Sequence, residues 1–175
     1  MAETVDITGR WSGFYSQHGH DNPITAIFAQ FESHLQGKMT DGVTSVEKSV
    51  FEAALDAGLP PGADEQIVAR LRKEYPDAPR VPIRAMSWLP EFSTLEGEVQ
   101  GRGVRFKKEY IGDHFSGWRI GDQLIGQTIT DLVVHYAGML SDDGRHLEGR
   151  WWIATSGEKP ASRIEGTFQL SRQDD

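Results

Sequence analysis

The strand-like segment Val104-Arg-Phe-Lys-Lys-Glu-Tyr110 alternates in polarity, and Lys108 falls on its apolar side with Val104, Phe106 and Tyr110. Arg105, Lys107 and Glu109 take the other side. An ammonium on an apolar face is costly unless it is paired or hydrogen-bonded. The same alternation in other segments puts Tyr15 and Tyr136 on the surface that carries Lys108, so a cation and several phenol hydroxyls can converge. Such a set can clamp an anionic or carbonyl-bearing ligand, or act as acid and base toward one. Two plainer readings stay open. Lys108 can snorkel into solvent from a strand end, and the hydroxyls can satisfy one another or the lysine.

Other chemistry is sparse. His18-Gly-His20-Asp21 places two imidazoles and a carboxylate in a polar turn, but no distant third ligand pairs with them, and no metal site is expected. His135 alternates between Val133 and Ala137, and His34, His114 and His146 read as exposed. The chain has no Gly-x-Ser-x-Gly elbow, His-Glu-x-x-His pair, phosphate-cradling loop or dinucleotide fingerprint. Gly101-Arg-Gly103 is a turn between strands. No cofactor is expected, and no reaction is specified. A binding role therefore leads over an enzyme working through Lys108 and the tyrosines, and over a solid module for protein contacts.

These side chains must be positioned by strands. The pattern apolar–x–Gly–x–apolar recurs at Ile7–Trp11, Leu35–Met39, Leu95–Val99, Tyr136–Leu140, Leu147–Trp151 and Ile164–Phe168, with a near miss at Leu124–Thr128. Positions i, i+2 and i+4 of a strand share a face, so each instance joins two apolar groups to a glycine. One-sided alternation belongs to antiparallel sheets. Glycine weakens a strand unless a bend or close approach requires it, and a repeated inward glycine lets a sheet coil until it closes. The expected fold is all-β, an antiparallel up-and-down barrel of about eight strands, with a two-sheet sandwich as its competitor. Turn residues at Gln17–Pro23, Gln100–Gly103, Ser141–Gly144 and Ser156–Pro160 fit hairpin connections.

From about residue 44 to 92 the strand period fades. Val46–Ala57 reads as strand or short helix. A helix capped by Asp64 carries Ile67, Val68, Leu71 and Tyr75 on one face, and Pro76, Pro79 and Pro82 stop it. The stretch is expected to be an insertion packed outside the barrel of a single domain spanning 1–175. Its helix is the first candidate to cover an outer apolar patch of Val133, Ala137, Met139 and Trp152, and a homodimer contact is the second. Gly112–Gln127, with Phe115 and Trp118, is expected to form a movable rim.

The bulk numbers agree with one soluble domain. The chain has 175 residues, 38% hydrophobic and 25% charged, and no cysteine, which removes disulfides and thiol chemistry. Its 18 basic against 26 acidic residues leave a formal charge of −8, which disfavours nucleic acid and anionic membranes as partners. No apolar run approaches the roughly 20 residues of a spanning helix, and the acidic Met1–Asp6 lacks a signal-peptide pattern. A cytoplasmic location is the expectation.

Gly9-Arg-Trp11 at the head of the first strand, followed by the barrel pattern, resembles the calycin group: lipocalins, fatty-acid-binding proteins and avidins. Gly9-Arg-Trp11 is similar to the avidin Gly-x-Trp, and Trp152-Ile-Ala-Thr-Ser-Gly157 to the avidin Trp-Leu-Leu-Thr-Ser-Gly strand end. Ile164-Glu-Gly-Thr-Phe168 lacks the ligand-binding aspartate of the matching avidin strand, so the resemblance implies the fold and small-molecule binding but not biotin. Strand parity supplies the expected lining. Trp11, Tyr15, Phe106, Lys108, Tyr110, Tyr136, Trp151 and Phe168 are the candidate binding residues for a small hydrophobic or amphipathic ligand. Ile7, Leu132, Val134, Leu140, Leu147, Ile153, Ile164 and Leu170 complete the interior.

Overall fold

The computed structural model describes residues 5–130, 132–153 and 164–174. Two compact units emerge, one of residues 1–43, 90–112 and 131–175, the other of residues 44–89 and 113–130. The first is a closed barrel. Its strands are β1 (Gly9–Gln17), β2 (His20–Phe31), β3 (His34–Asp41), β6 (Phe92–Gln100), β7 (Gly103–Tyr110), β10 (Val133–Leu140), β11 (His146–Ile153) and β12 (Ile164–Arg172). Each pairs antiparallel with its neighbours in that order, and β12 returns to β1. This is the up-and-down topology expected of successive hairpins.

The alternating apolar residues meet inside. Ile7, Trp11, Phe28, Leu35, Met39, Leu95, Val99, Phe106, Tyr136, Trp151 and Phe168 belong to one buried cluster. Ile164 departs from the expected lining: it opens β12 with 46% of its surface exposed, and Leu132 lies just before β10, half-buried. The glycines of the repeated pattern sit on the inward parity, where the paired strand approaches closely. A Cβ on Gly97 would lie 2.0 Å from the Arg105 carbonyl oxygen and 2.6 Å from Phe106 Cα, both on the paired strand β7. Gly149 and Gly138 face each other across β10 and β11, and a Cβ on Gly149 would meet the Ala137 oxygen at 2.0 Å. Adjacent strands come so close at these points that only hydrogen fits, which is how a small barrel coils.

One end of the barrel is drawn shut by the chain ahead of β1. The indole of Trp11 donates to the Ile7 carbonyl at 2.9 Å, and the Ile7 amide donates to Gln30 Oε1 at 3.0 Å. Arg172, at the end of β12, donates to the carbonyls of Asp6 and Thr8 at 3.0 and 2.6 Å and lies 6.0 Å from the Trp11 ring centroid. At the opposite end β3 and β7 finish, and β6 and β10 begin.

The second unit is a four-stranded antiparallel sheet ordered β4 (Ser45–Ser49), β5 (Ile83–Trp88), β8 (His114–Ile120) and β9 (Gln123–Ile129), with α1 (Val50–Asp56) and α2 (Ala63–Glu74). The ambiguity over Val46–Ala57 resolves as both: β4 runs into α1 through a capping box between Ser49 and Glu52. Helix α2 is capped at Gly62, in the left-handed region at φ 85°, with Asp64 inside its first turn where the helix dipole favours an acid. The expected rim, Gly112–Gln127, is instead regular structure, because most of it forms β8 and β9 of this sheet. Likewise Leu71, with Ile67 and Val68 beside it, packs with Val50, Ile83 and Ile120 in the unit's own core, so the apolar face of α2 is used within its own unit. Tyr75, at the helix end, is exposed.

Candidate functional site

Among the described residues three polar side chains are fully buried, Asp41, Ser93 and Lys108, and all three lie inside the barrel. Lys108 takes the inward parity of β7, opposite Leu95 on β6 and Val134 on β10. Its ammonium does not snorkel: both partners of a close pair are sequestered, with Lys108 Nζ donating to Asp41 Oδ1 at 2.8 Å and to Oδ2 at 2.7 Å. Asp41 ends β3, and its amide donates to the Glu91 carbonyl at 3.0 Å. Ser93 lies on the strand between, opposite Met39 on one side and Tyr110 on the other, and donates to the Met39 carbonyl at 3.2 Å.

The predicted tyrosines gather at this pair. The Tyr110 ring stands 4.4 Å from Lys108 Nζ, a cation–π contact. Burial pushes the Tyr15 phenol up to about 12, with the Asp41 carboxylate adding to the effect. Tyr110 and Tyr136 are raised further, again first by burial and then by Asp41. All three therefore stay neutral donors at ordinary pH. Burial also outweighs mutual attraction within the ion pair: it raises the carboxyl of Asp41 and lowers the ammonium of Lys108. A proton can pass between the two without changing the net charge of the site.

The aromatic candidates sort by height. Trp11 packs on Phe28 at 6.3 Å and Phe28 on Phe106 at 5.4 Å; Phe106 stacks on Tyr136 at 4.7 Å, and Phe168 meets Tyr136 edge-on at 5.1 Å. This column fills the barrel from the shut end upward. Trp11 belongs to that closure and stands apart from the polar cluster. Tyr15 and Trp151 meet edge-on at 5.7 Å, and the Trp151 indole donates to the Ser16 carbonyl at 3.1 Å. Tyr15, Tyr110 and Ile153 are half-buried, whereas Lys108 and Asp41 are closed off from solvent.

Asp41 and Ser93 escaped the sequence reading. Asp41-Gly42 looks like a turn, yet carrying the alternation of Leu35, Gly37 and Met39 two residues onward places Asp41 inside. His114 is half-buried, not exposed, with a buried Nδ1 that has no partner among the described residues. Burial lowers its pKa. His18 and His20 are exposed at the β1–β2 turn. The Ser156–Pro160 turn and the end of the avidin-like Trp152–Gly157 motif lie outside the described residues. The second unit has a groove of about 670 Å³ between its sheet and α2, bordered by Val46, Lys48, Arg70, Tyr75, Trp118 and Gln127. Lys48 is paired there with Asp56 at 2.5 Å. No described helix is long and apolar enough to cross a membrane. Comparison with protein-family models, with curated proteins and with solved structures finds no match for this chain.

Proposed function

We propose that this protein binds a small, partly apolar molecule in the barrel interior, its polar group held at Asp41 and Lys108 and its apolar part against Trp151, Phe106 and Phe168. The observation that carries the reading is the gathering of every fully buried polar side chain among the described residues at one place in an otherwise apolar interior. A buried ion pair adds little stability over apolar packing of the same volume, so stability alone does not account for it. Tyr15, Tyr110 and Tyr136 add neutral hydroxyls around it. The calycin resemblance of Gly9-Arg-Trp11 agrees with this use of a barrel.

The pair narrows the ligand. Lys108 is already neutralised by Asp41, so an ionised carboxylate would enter a site without a spare positive charge. A neutral head with a strong acceptor, such as a ketone, aldehyde or alcohol, suits a lysine N–H and the tyrosine hydroxyls better. The test is a thermal-shift titration with medium-chain alcohols, ketones and fatty acids. The expected result is stabilisation by the neutral compounds, lost in the double variant Lys108→Met/Asp41→Leu. Equal shifts in the two proteins, or none in either, would refute the assignment.

A further inference from the structure

Resting on the binding reading above, we infer that Lys108 is a covalent anchor for carbonyl compounds, condensing with an aldehyde or ketone in the barrel to form an imine. An amine attacks a carbonyl only in its unprotonated form, and a second group must protonate the oxygen that leaves. Both requirements meet in one contact. Asp41 holds Nζ through both carboxylate oxygens, at 2.8 and 2.7 Å, in a place closed to bulk water. Moving the ammonium proton onto Asp41 turns two charges into two neutral groups, a change that low-dielectric surroundings favour. The site then contains a free amine beside a carboxylic acid.

The step balances without an added reagent. The Nζ lone pair forms the bond to the carbonyl carbon, and the carbonyl oxygen takes the proton held by Asp41. The resulting carbinolamine loses its hydroxyl as water, with a second proton supplied from nitrogen through Asp41. The product is a carbon–nitrogen double bond and one water molecule, and hydrolysis reverses it. When the imine nitrogen is protonated, Asp41 is its counter-ion, as it is for the ammonium now. The Tyr110 ring, 4.4 Å from Nζ, faces that cation. Lys107 is the internal comparison: next in sequence, it points outward and pairs with Glu109 at 2.8 Å and Glu96 at 3.5 Å. Those carboxylates raise its pKa and keep it protonated.

The experiment incubates the intact protein with decanal and sodium cyanoborohydride, which reduces an imine to a stable secondary amine, and maps the adduct by peptide mass spectrometry. The expected result is alkylation of Lys108 faster than Lys107 by about tenfold or more, and its loss in Lys108→Met/Asp41→Leu, whose folding is checked by circular dichroism. Should that variant fail to fold, competition in the wild-type protein decides: decanol, which cannot condense, should slow labelling of Lys108 and leave Lys107 unaffected. Labelling spread evenly over the lysines would overturn the inference. A decanal-induced thermal shift with no adduct at Lys108 would overturn the imine while leaving the binding reading intact, and absence of both shift and adduct would remove both.

Discussion

The pairing of Asp41 with Lys108 makes the two residues energetically inseparable. Removing one charge strands the other in an apolar interior, whereas replacing both with apolar groups removes the need for either. Asp41→Asn is therefore expected to destabilise the protein by about 3–5 kcal/mol, and Lys108→Met/Asp41→Leu to lie close to wild type or above it, as read from denaturant unfolding. The tyrosines set a second expectation. Tyr15 is raised from its ordinary 10.0 to about 12, so the unfolded chain ionises first. The stability this group contributes is fully present below about pH 10 and is lost as the pH rises through the folded value near 12. Tyr110 and Tyr136 shift in the same direction. Phenolate absorbance from Tyr110 and Tyr136 should appear together with alkaline unfolding, and a phenolate signal from these two in a fully folded barrel would contradict their burial. At this scale Lys108 was legible because a charge breaks an apolar alternation. Its partner was missed because Asp41-Gly42 carries the chemistry of a turn, which hides that the alternation of Leu35, Gly37 and Met39 continues to Asp41.

The barrel strands work as elements because their glycines admit the neighbouring backbone. Gly97→Ala puts a methyl group where the Arg105 carbonyl oxygen already sits, at 2.0 Å, so β6 and β7 must part or rotate. We expect a loss of about 1–3 kcal/mol, read as a lower unfolding midpoint, a size typical of overpacking. An unchanged midpoint would show that the two strands separate without cost. The repeated five-residue pattern made most barrel strands legible, since period two with one oily side has few other interpretations. The elements of the second sheet were harder to read. β4 has only five residues, and β9 buries none of its seven, so neither shows a clean alternation. Phe115 and Trp118 in a glycine-rich stretch therefore suggested a loop where β8 runs.

For the molecule as a whole, the connectivity makes the barrel complete without the second unit. β3 and β6 are already paired, and the Asp41 amide binds the Glu91 carbonyl at 3.0 Å, so a short turn can join the chain near Val43 to Pro90. β7 and β10 are paired as far as Glu109 and Val133, which allows a second turn from Gly112 to Leu132. A chain with 44–89 and 113–130 replaced by such turns is expected to unfold in one cooperative transition with a β-type circular dichroism spectrum; a spectrum of unfolded chain would show that the barrel needs what was removed. The sequence shows one interruption of the strand period, but not that the two excursions, far apart in the chain, build one sheet, because only strand pairing carries that information. The ligand binding proposed for the interior likewise belongs to the closed barrel and not to any one strand. Native mass spectrometry of the full chain purified from its own host tests it most directly. The expected result is a retained neutral, partly apolar molecule that is lost in Lys108→Met/Asp41→Leu; the bare chain mass alone, with nothing bound in either protein, would overturn the proposed binding.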